Sequence, residues 1–312
     1  MTSNTLRLGA AEWGLLLVLS LLWGGSFLFG RIAVQEVPPM TVAFFRVAIA
    51  AVILGAALWV SRQPLPRGLA AWAPFAVMGL VNNVIPFSLI FWGQREIGVG
   101  LAAILNATTP LFAALLAHFF TSDEKLKANR LAGVGIGIAG VVVLVGPELL
   151  GGLGQHMLPQ LAVLAAAGSY GIAALWGRRF RTVPPMVTCA QLTSSTVILL
   201  PLSLLFDGAI TGDLPGRTTI AAILGLAVLC TALAYVIFFT LIRRAGASNV
   251  MLVTLLIPVS AMALGAVFLG EQVAPIDLAG AAIIGVALIV IDGRMANWLA
   301  RRLFAVKRID GS

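Results

Sequence analysis

The sequence predicts an all-α polytopic membrane protein whose ten transmembrane helices form two inverted five-helix repeats. Three observations support this class: an apolar composition, ten apolar runs of membrane-spanning length, and motifs that recur in order along the chain. Of the 312 residues, 60% are hydrophobic and only 10% are charged, and the mean hydropathy is +1.03. Soluble domains average about 25% charged residues, so this chain has too few polar side chains to cover a soluble surface.

Ten apolar runs are long enough to cross a bilayer, which takes about 20 apolar residues in a helix. They cover residues 13–34, 41–60, 70–92, 97–119, 130–147, 158–177, 186–206, 219–241, 247–270 and 275–292. The first run is longer than the apolar core of a signal peptide and lacks a convincing cleavage site, so we interpret it as a retained span. No segment between the spans is long enough for a soluble domain, which argues against a membrane-anchored enzyme with a globular head.

The distribution of basic residues predicts that both termini are cytoplasmic. Lys and Arg are concentrated in the segments that this orientation places inside, whereas the opposite side holds only Arg31, Arg95 and Arg217. Such an asymmetry is the usual topology signal of membrane proteins. It also accounts for the net charge of +8, so the charge does not indicate nucleic-acid binding. The tail, residues 293–312, is predicted to be a basic amphipathic helix that lies on anionic cytoplasmic lipid.

The two cysteines, Cys189 and Cys230, lie singly within apolar spans and are interpreted as small packing residues. They form neither a disulfide framework nor the spacing of a metal site. We therefore expect no metal and no cofactor, and the absence of an ATP-binding loop argues against pumping by hydrolysis.

An internal repeat relates the two halves of the chain. The sequence Val-Pro-Pro-Met at 37–40 recurs at 183–186, each time where a span begins. Further matches follow in the same order: Trp23 with Tyr170, Asn82 and Asn83 with Cys230 and Thr231, Asn106 with Thr254, Pro110 with Pro258, and Asp123 with Glu271. Because five is odd, the second copy enters the membrane from the opposite side, as in many transporters. The expected units are residues 1–147, residues 148–292 and the tail at 293–312.

Short motifs along the spans carry a resemblance to a known family. They are Trp23-Gly-Gly-Ser-Phe27, Phe44-Phe-Arg46, Ala107-Thr-Thr-Pro-Leu-Phe112, Asp123-Glu124 and Gly270-Glu271. Their ordered set resembles the EamA-type ten-helix carriers of the drug/metabolite transporter superfamily. The resemblance implies a central cavity formed mainly by helices 1, 3, 4, 6, 8 and 9. It also implies substrates such as amino acids, other metabolites or drugs, usually exported, and the chain is most similar to amino-acid exporters, including those for aromatic amino acids.

Polar side chains at membrane depth are candidates for substrate contact, because they are costly unless they are paired or face water. These candidates are Asn82, Asn83, Asn106, Thr109, Thr231 and Thr254. The alternative is hydrogen bonding between helices, which contributes only about 0.6 kcal/mol on average in membranes. Adjacent helical residues point in different directions, so one of Asn82 and Asn83 is expected to line the cavity.

Four aromatic side chains lie away from the membrane interfaces: Trp23, Phe87, Tyr170 and Tyr235. A largely apolar pocket with a few polar groups suits a substrate with an apolar body and an ammonium or carboxylate group. The alternative is ordinary core packing. Trp23 is the strongest candidate because the repeat places the aromatic Tyr170 at its mirror position.

Pro110 and Pro258 occupy equivalent central positions in the fourth and ninth spans. A proline removes one backbone donor and frees a carbonyl, which bends a helix. The pair predicts either two hinges whose freed carbonyls are available to a ligand or two static kinks.

Arg46 is the one basic residue clearly within a span. Three interpretations are open. The side chain snorkels to the outer interface, it pairs with Glu36, Glu96 or Asp207, or it contacts a substrate carboxylate.

The absence of acidic residues at mid-membrane predicts a cavity for neutral or zwitterionic solutes. We expect a secondary transporter in a bacterial inner membrane that exports amino-acid-like metabolites by alternating access, with facilitative transport as one option. A proton-coupled multidrug exporter is the alternative, although it would be expected to keep a buried carboxylate. An intramembrane enzyme acting on a lipid-linked substrate is more distant, since its only candidate group is His118, Asp123 and Glu124. The oligomeric state is open: glycines 133, 135, 137, 140, 280 and 285 predict close packing either within each half or between copies.

Overall fold

The structure is a computed structural model that describes residues 9–121, 128–150, 157–180, 184–208 and 214–292. The predicted tail at 293–312 and the acidic pair Asp123-Glu124 lie outside the described residues.

The described residues form ten helical spans, in agreement with the ten predicted runs. They are α1 (Ala10–Ala33), α2 (Pro39–Val60), α3 (Leu69–Gly93), α4 (Val99–Phe120), α5 (Ala128–Leu150), α6 (Met157–Gly177), α7 (Pro184–Phe206), α8 (Arg217–Ala245), α9 (Ala247–Val250 and Val253–Leu269) and α10 (Pro275–Asp292). By length and composition, seven of them can each cross a membrane, and the apolar parts of α5, α9 and α10 are shorter.

Proline and glycine set many of the helix boundaries. Pro39 and Pro275 are the first residues of α2 and α10, where the missing N–H has no intrahelical partner to lose. Gly270 ends α9 in the left-handed conformation with φ of +65°, which costs glycine little because it has no Cβ. These three residues therefore mark the ends of spans.

The fourth and ninth spans are interrupted near their predicted prolines, but not at them. α4 consists of Val99–Asn106 and Thr109–Phe120, and the turn between these segments precedes Pro110. α9 is interrupted between Val250 and Val253, and Pro258 lies within the continuous second segment. The break in α4 thus falls in the turn that precedes Pro110, whereas the break in α9 lies several residues before Pro258, and the role of the two prolines as hinges stays a prediction. The proline at the start of a helical segment is tolerated, whereas the break itself falls in the preceding turn.

The two halves pack against each other throughout the molecule. α2 contacts α7, α5 contacts α10, and the first segment of α4 contacts α9. Further contacts occur in pairs related by the repeat: α1 with α9 corresponds to α6 with α4, and α1 with α8 corresponds to α6 with α3. The bundle is thus an interlocked pair of five-helix repeats.

Glycines allow two of these contacts to be close. A Cβ at Gly24 of α1 would lie 2.8 Å from the Ser260 Cβ of α9, and one at Gly140 of α5 would lie 2.9 Å from Ile284 of α10. The predicted glycine stripe therefore joins α5 to α10 across the two halves. Gly135 and Gly285 are different, because a Cβ there would have no neighbour within 4 Å among the described residues.

Candidate functional site

A cavity of about 520 Å³ lies at the centre of the bundle. It is lined by α1, α2, α3, α4, α6, α7, α8 and α9, so α2 and α7 join the six helices that the resemblance implies. One end of the cavity reaches Gly177, the last residue of α6, and Phe180 just beyond it. Val187, near the start of α7, also lies at this end. The distribution of Lys and Arg predicts that this end faces the cytoplasm.

Aromatic rings form much of the cavity wall. Trp23 of α1 packs against Phe238 of α8 with ring centroids 5.3 Å apart, and Tyr235 stacks on Phe239 at 6.0 Å. Tyr170 of α6 also lines the cavity. Such walls accommodate an apolar or aromatic group of a ligand.

Arg46 is the one charged residue among the described residues that line the cavity. It is only 6% exposed, so it does not reach the outer interface. Its Nε donates to the Thr231 hydroxyl of α8 at 3.0 Å, and its guanidinium carbon lies 3.8 Å above the centroid of the Phe87 ring. These contacts fix the orientation of a cation that would otherwise be costly to bury.

The carboxylates predicted as partners of Arg46 are engaged elsewhere or exposed. Asp207 accepts from the backbone N–H and hydroxyl of Thr41 at 2.7 and 2.9 Å, and Glu36 accepts from the backbone N–H of Gly216 at 2.6 Å. Glu96 is exposed at the end of α3. Within the described part of the chain, no carboxylate neutralises Arg46.

Amide side chains form a second polar group in the cavity. Asn82 Nδ2 donates to the Tyr235 hydroxyl at 3.2 Å, and Gln191 Nε2 of α7 approaches the same oxygen at 3.5 Å. The hydroxyl proton of Tyr235 has no acceptor among the described residues. It can therefore be donated to a ligand in the cavity.

Two amide oxygens in this wall are buried without a donor in the described part of the structure: Asn106 Oδ1 and Gln191 Oε1. Gln191 is 3% exposed, and both residues line the cavity. A buried acceptor without a partner costs about 1–3 kcal/mol, so each is a favourable position for a donor group of a ligand.

The polar residues of α3 and α8 lie on π-helical turns at Leu80–Val84 and Val228–Leu233. A π-helical turn widens the helix by one residue, and such turns occur frequently at functional sites. They direct Asn82 and Cys230 to the cavity, while Asn83 donates to Ser195 of α7 at 2.9 Å and Thr231 accepts from Arg46.

The structure brings most of the predicted substrate-binding residues together around the cavity. Those that line it are Trp23, Arg46, Asn82, Phe87, Asn106, Thr109, Pro110, Tyr170, Tyr235 and Thr254. Asn83, Thr231 and Pro258 are buried behind the wall. The carbonyl of Asn106, which Pro110 leaves without its N–H partner, accepts the Thr109 hydroxyl at 2.8 Å. This contact already satisfies the carbonyl that the proline prediction offered to a ligand.

Several lining residues were not predicted. Gln191, Thr188, Phe238 and Phe239 line the cavity from α7 and α8. Gln191 carries a signal that could have identified it, because it is an uncharged polar residue within an apolar span. The two phenylalanines carry no such signal, since a ring in a transmembrane helix is equally suited to packing.

The opposite end of the bundle is held by polar contacts between helices. Glu271 at the end of α9 accepts from the backbone N–H of Val99 at 2.9 Å, at the start of α4. Gln94 Nε2 donates to the Phe27 carbonyl at 2.8 Å, and Arg31 donates to the Gln94 carbonyl. A carboxylate at a helix N-terminus is stabilised by the helix dipole.

A second, more peripheral cavity of about 980 Å³ lies between α1, α8 and α9 at this end. Its wall is mostly apolar and includes Leu28, Leu264 and Phe268, and Arg31 and Glu36 also line it. Cys230 lines both this groove and the central cavity.

Comparison with known proteins agrees with this architecture. The family model described as the EamA-like transporter family matches the chain twice, over residues 12–146 and 157–291. A protein of known crystal structure has a TM-score of 0.62 at 20% identity, over 90% of this chain and 97% of that chain. At that identity the likeness concerns the fold alone.

Two curated relatives are named as exporters. A "probable amino-acid metabolite efflux pump" of Salmonella typhimurium is 30% identical over 95% of this chain and 98% of its own length. A "probable terminal-alkyne amino-acid exporter" of Streptantibioticus cattleyicolor is 28% identical over 93% of this chain and 95% of its own length. Both match nearly end to end, and the family model matches each half. This chain is a multi-pass membrane transporter and belongs to the EamA-like transporter family.

Proposed function

We propose that this protein exports amino-acid-like metabolites that carry a carboxylate, by alternating access across a bacterial inner membrane. The observation that carries the proposal is Arg46, a buried cation in the wall of a central cavity that is otherwise aromatic and amide-lined. Two bacterial relatives named as a probable amino-acid metabolite efflux pump and a probable terminal-alkyne amino-acid exporter support the same class of substrate.

Arg46 is suited to hold the substrate carboxylate. Its Nε is engaged by Thr231, and the two terminal nitrogens of the guanidinium have no hydrogen-bond partner among the described residues. These nitrogens can form a charge-assisted, two-point contact with a carboxylate. Because Arg46 is buried, such a contact is stronger there than at a protein surface.

The aromatic wall suits the side chain of the substrate. Trp23, Phe238 and Phe239 provide ring surface in the part of the cavity that extends toward the predicted cytoplasmic end. This surface favours apolar and aromatic side chains over small polar ones.

The charge of the cavity also separates this proposal from a proton-coupled exporter of lipophilic cations. Such an exporter uses a buried carboxylate that exchanges a proton for a cation. The described lining residues contain Arg46 and no acidic side chain, so a cationic drug would meet a like charge.

Alternating access is supported by the difference between the two ends of the bundle. The cavity extends to the predicted cytoplasmic end, and contacts such as Glu271 with Val99 hold the other end together. We infer that this arrangement is the inward-facing conformation, in which substrate enters from the cytoplasm.

The test is transport in proteoliposomes with purified protein. Phenylalanine, threonine and N-acetylphenylalanine are supplied singly as labelled solutes, beside a lipophilic cationic dye. We expect saturable transport of at least one carboxylate and a loss of about 100-fold in Arg46→Gln, since removing one partner of a buried charged contact costs about 2–5 kcal/mol.

Arg95→Gln is the matched control, because Arg95 is an exposed arginine at the end of α3. It should transport at the wild-type rate. Transport of the dye alone, dependent on a pH gradient and unaffected by Arg46→Gln, would contradict the proposal in favour of a multidrug exporter.

A further inference from the structure

The composition of the central cavity specifies the charge of its substrate, if the proposed carboxylate export is right. We propose that the preferred substrate is a monovalent anion, namely an amino-acid derivative whose nitrogen is uncharged, such as an N-acyl amino acid. Export of such a substrate is driven by the membrane potential.

The described wall of the cavity carries a net positive charge. Arg46 contributes one positive charge, and the other described lining residues are apolar, aromatic, amide or hydroxyl side chains. An arginine remains protonated at any physiological pH. A carboxylate neutralises the cavity, whereas a zwitterion leaves it with one uncompensated positive charge.

The unpartnered acceptors of the cavity suit an uncharged nitrogen on the substrate. The buried acceptors without a donor are the amide oxygens Asn106 Oδ1 and Gln191 Oε1, and neither carries a charge. A neutral oxygen satisfies one N–H of an amide well. It compensates poorly for the desolvation of an ammonium group, which needs a carboxylate partner.

The cavity also offers a hydrogen-bond donor to the substrate. The Tyr235 hydroxyl accepts from the amide nitrogens of Asn82 and Gln191, and its own proton is available. An acyl carbonyl beside the N–H would accept that proton. A free amino acid has no acceptor besides its carboxylate, which Arg46 engages.

Aromatic rings can also bind an ammonium group, but the face of Phe87 is already occupied by Arg46. The guanidinium of Arg46 lies 3.8 Å above the centroid of Phe87 and 5.9 Å from that of Phe91. An ammonium group in the same region would be repelled by Arg46.

A monovalent anion explains how export can proceed without a coupling carboxylate. A cell interior at negative potential expels an anion, and for one charge this corresponds to a concentration ratio of about 50-fold for each 100 mV. A zwitterion moved by the same uniport cycle would gain nothing from the potential. The absence of an acidic residue at mid-membrane is then expected, because the membrane potential drives export and no coupled proton is needed.

The experiment compares three labelled solutes in proteoliposomes clamped with valinomycin and potassium gradients. They are N-acetylphenylalanine, phenylalanine and phenylalaninamide, which carry charges of −1, 0 and +1. At an interior potential of +100 mV, N-acetylphenylalanine should accumulate about 50-fold above its level at zero potential. Phenylalanine should be transported at least about tenfold more slowly, and phenylalaninamide not at all. Liposomes without protein supply the leak correction.

Two variants that keep a positive charge at position 46 test the inference further. Arg46→Lys keeps the charge and should keep the response to potential, with weaker transport. Gln191→Leu leaves Arg46 in place and removes one of the two unpartnered oxygens. It should reduce the preference for N-acetylphenylalanine over 3-phenylpropanoate, a carboxylate that has no nitrogen, and an unchanged preference would contradict the role given to this oxygen. This second comparison uses the same cation in both proteins, so it remains informative if Arg46→Gln fails to fold.

The outcomes distinguish this inference from the proposed function. Equal or faster transport of phenylalanine, or accumulation of N-acetylphenylalanine that ignores the potential, would overturn the inference and leave carboxylate export standing. Transport of none of the carboxylates would overturn the proposed function together with the inference.

Discussion

The π-helical turns of α3 and α8, Leu80–Val84 and Val228–Leu233, stand at equivalent positions in the two halves. Each turn directs one residue to the cavity and the next residue to a neighbouring helix. In α3 these are Asn82 and Asn83, and in α8 they are Cys230 and Thr231. The backbone is repeated while the side chains differ.

The cavity wall therefore has two chemically different parts, an amide pole at Asn82, Gln191 and Tyr235 and a cationic pole at Arg46 and Thr231. Asn83 of α3 donates a hydrogen bond to Ser195, and its neighbour Asn82 donates to Tyr235. Thr231 of α8 instead accepts from Arg46, the one cation of the described wall. The two helices share a π-helical turn, and the divergence of a few side chains makes the two sides of the cavity chemically different.

The largest effect is expected when the cationic pole is disturbed. Thr231→Val keeps the shape of the side chain and removes the acceptor for Arg46 Nε. Carboxylate transport should fall about tenfold, because hydrogen bonds to charged groups contribute about 1.5–3 kcal/mol. The check is initial uptake in proteoliposomes, with Thr240→Val as control, since the Thr240 hydroxyl is exposed and bonds only within α8.

A double variant sharpens this test. If Thr231 acts by positioning Arg46, Arg46→Gln/Thr231→Val should be no worse than Arg46→Gln alone. Additive losses would show that Thr231 acts on transport independently of Arg46.

At the amide pole, the two adjacent asparagines should give different phenotypes. Asn82→Ala should lower transport about threefold with little change in the melting temperature in detergent, since hydrogen bonds at membrane depth contribute about 0.6 kcal/mol on average. Asn83→Ala removes a fully buried donor to Ser195 and should lower the melting temperature by several degrees. The reverse pattern would mean that the π-helical turn does not divide the two roles.

The smallest effect is expected at Cys230, the counterpart of Asn82. It lines the cavity, but the structure gives its thiol no hydrogen bond among the described residues. Cys230→Ala should therefore transport at close to the wild-type rate, and a loss as large as that of Thr231→Val would break the proposed division between the two residues of this turn.

The spans and the repeat could be predicted from sequence because each depends on a property of long segments. Membrane-length apolar runs and collinear motifs survive errors at single residues, and the described helices begin and end within a few residues of the predicted runs. Trp23 and Tyr170, predicted as aromatics away from the interfaces that the repeat places at mirror positions, both line the cavity.

The orientation of individual side chains could not be predicted in the same way. A π-helical turn adds a residue to the helix and changes the direction of every side chain near it, so the periodicity of a regular helix cannot decide between Asn82 and Asn83. The surroundings of Arg46 depend on Thr231 and Phe87, which lie far away in sequence. A charge within a span therefore indicates a site without specifying its partners.

The position of Cys230 between the central cavity and the peripheral groove bears on how the transporter can be inhibited. Because the one side chain of Cys230 lines both spaces, it forms part of the partition between them at this depth. A lipophilic compound dissolved in the bilayer could reach the substrate pathway sideways after displacing that side chain. Affinity for such a compound would then depend on its concentration in the membrane as well as in water.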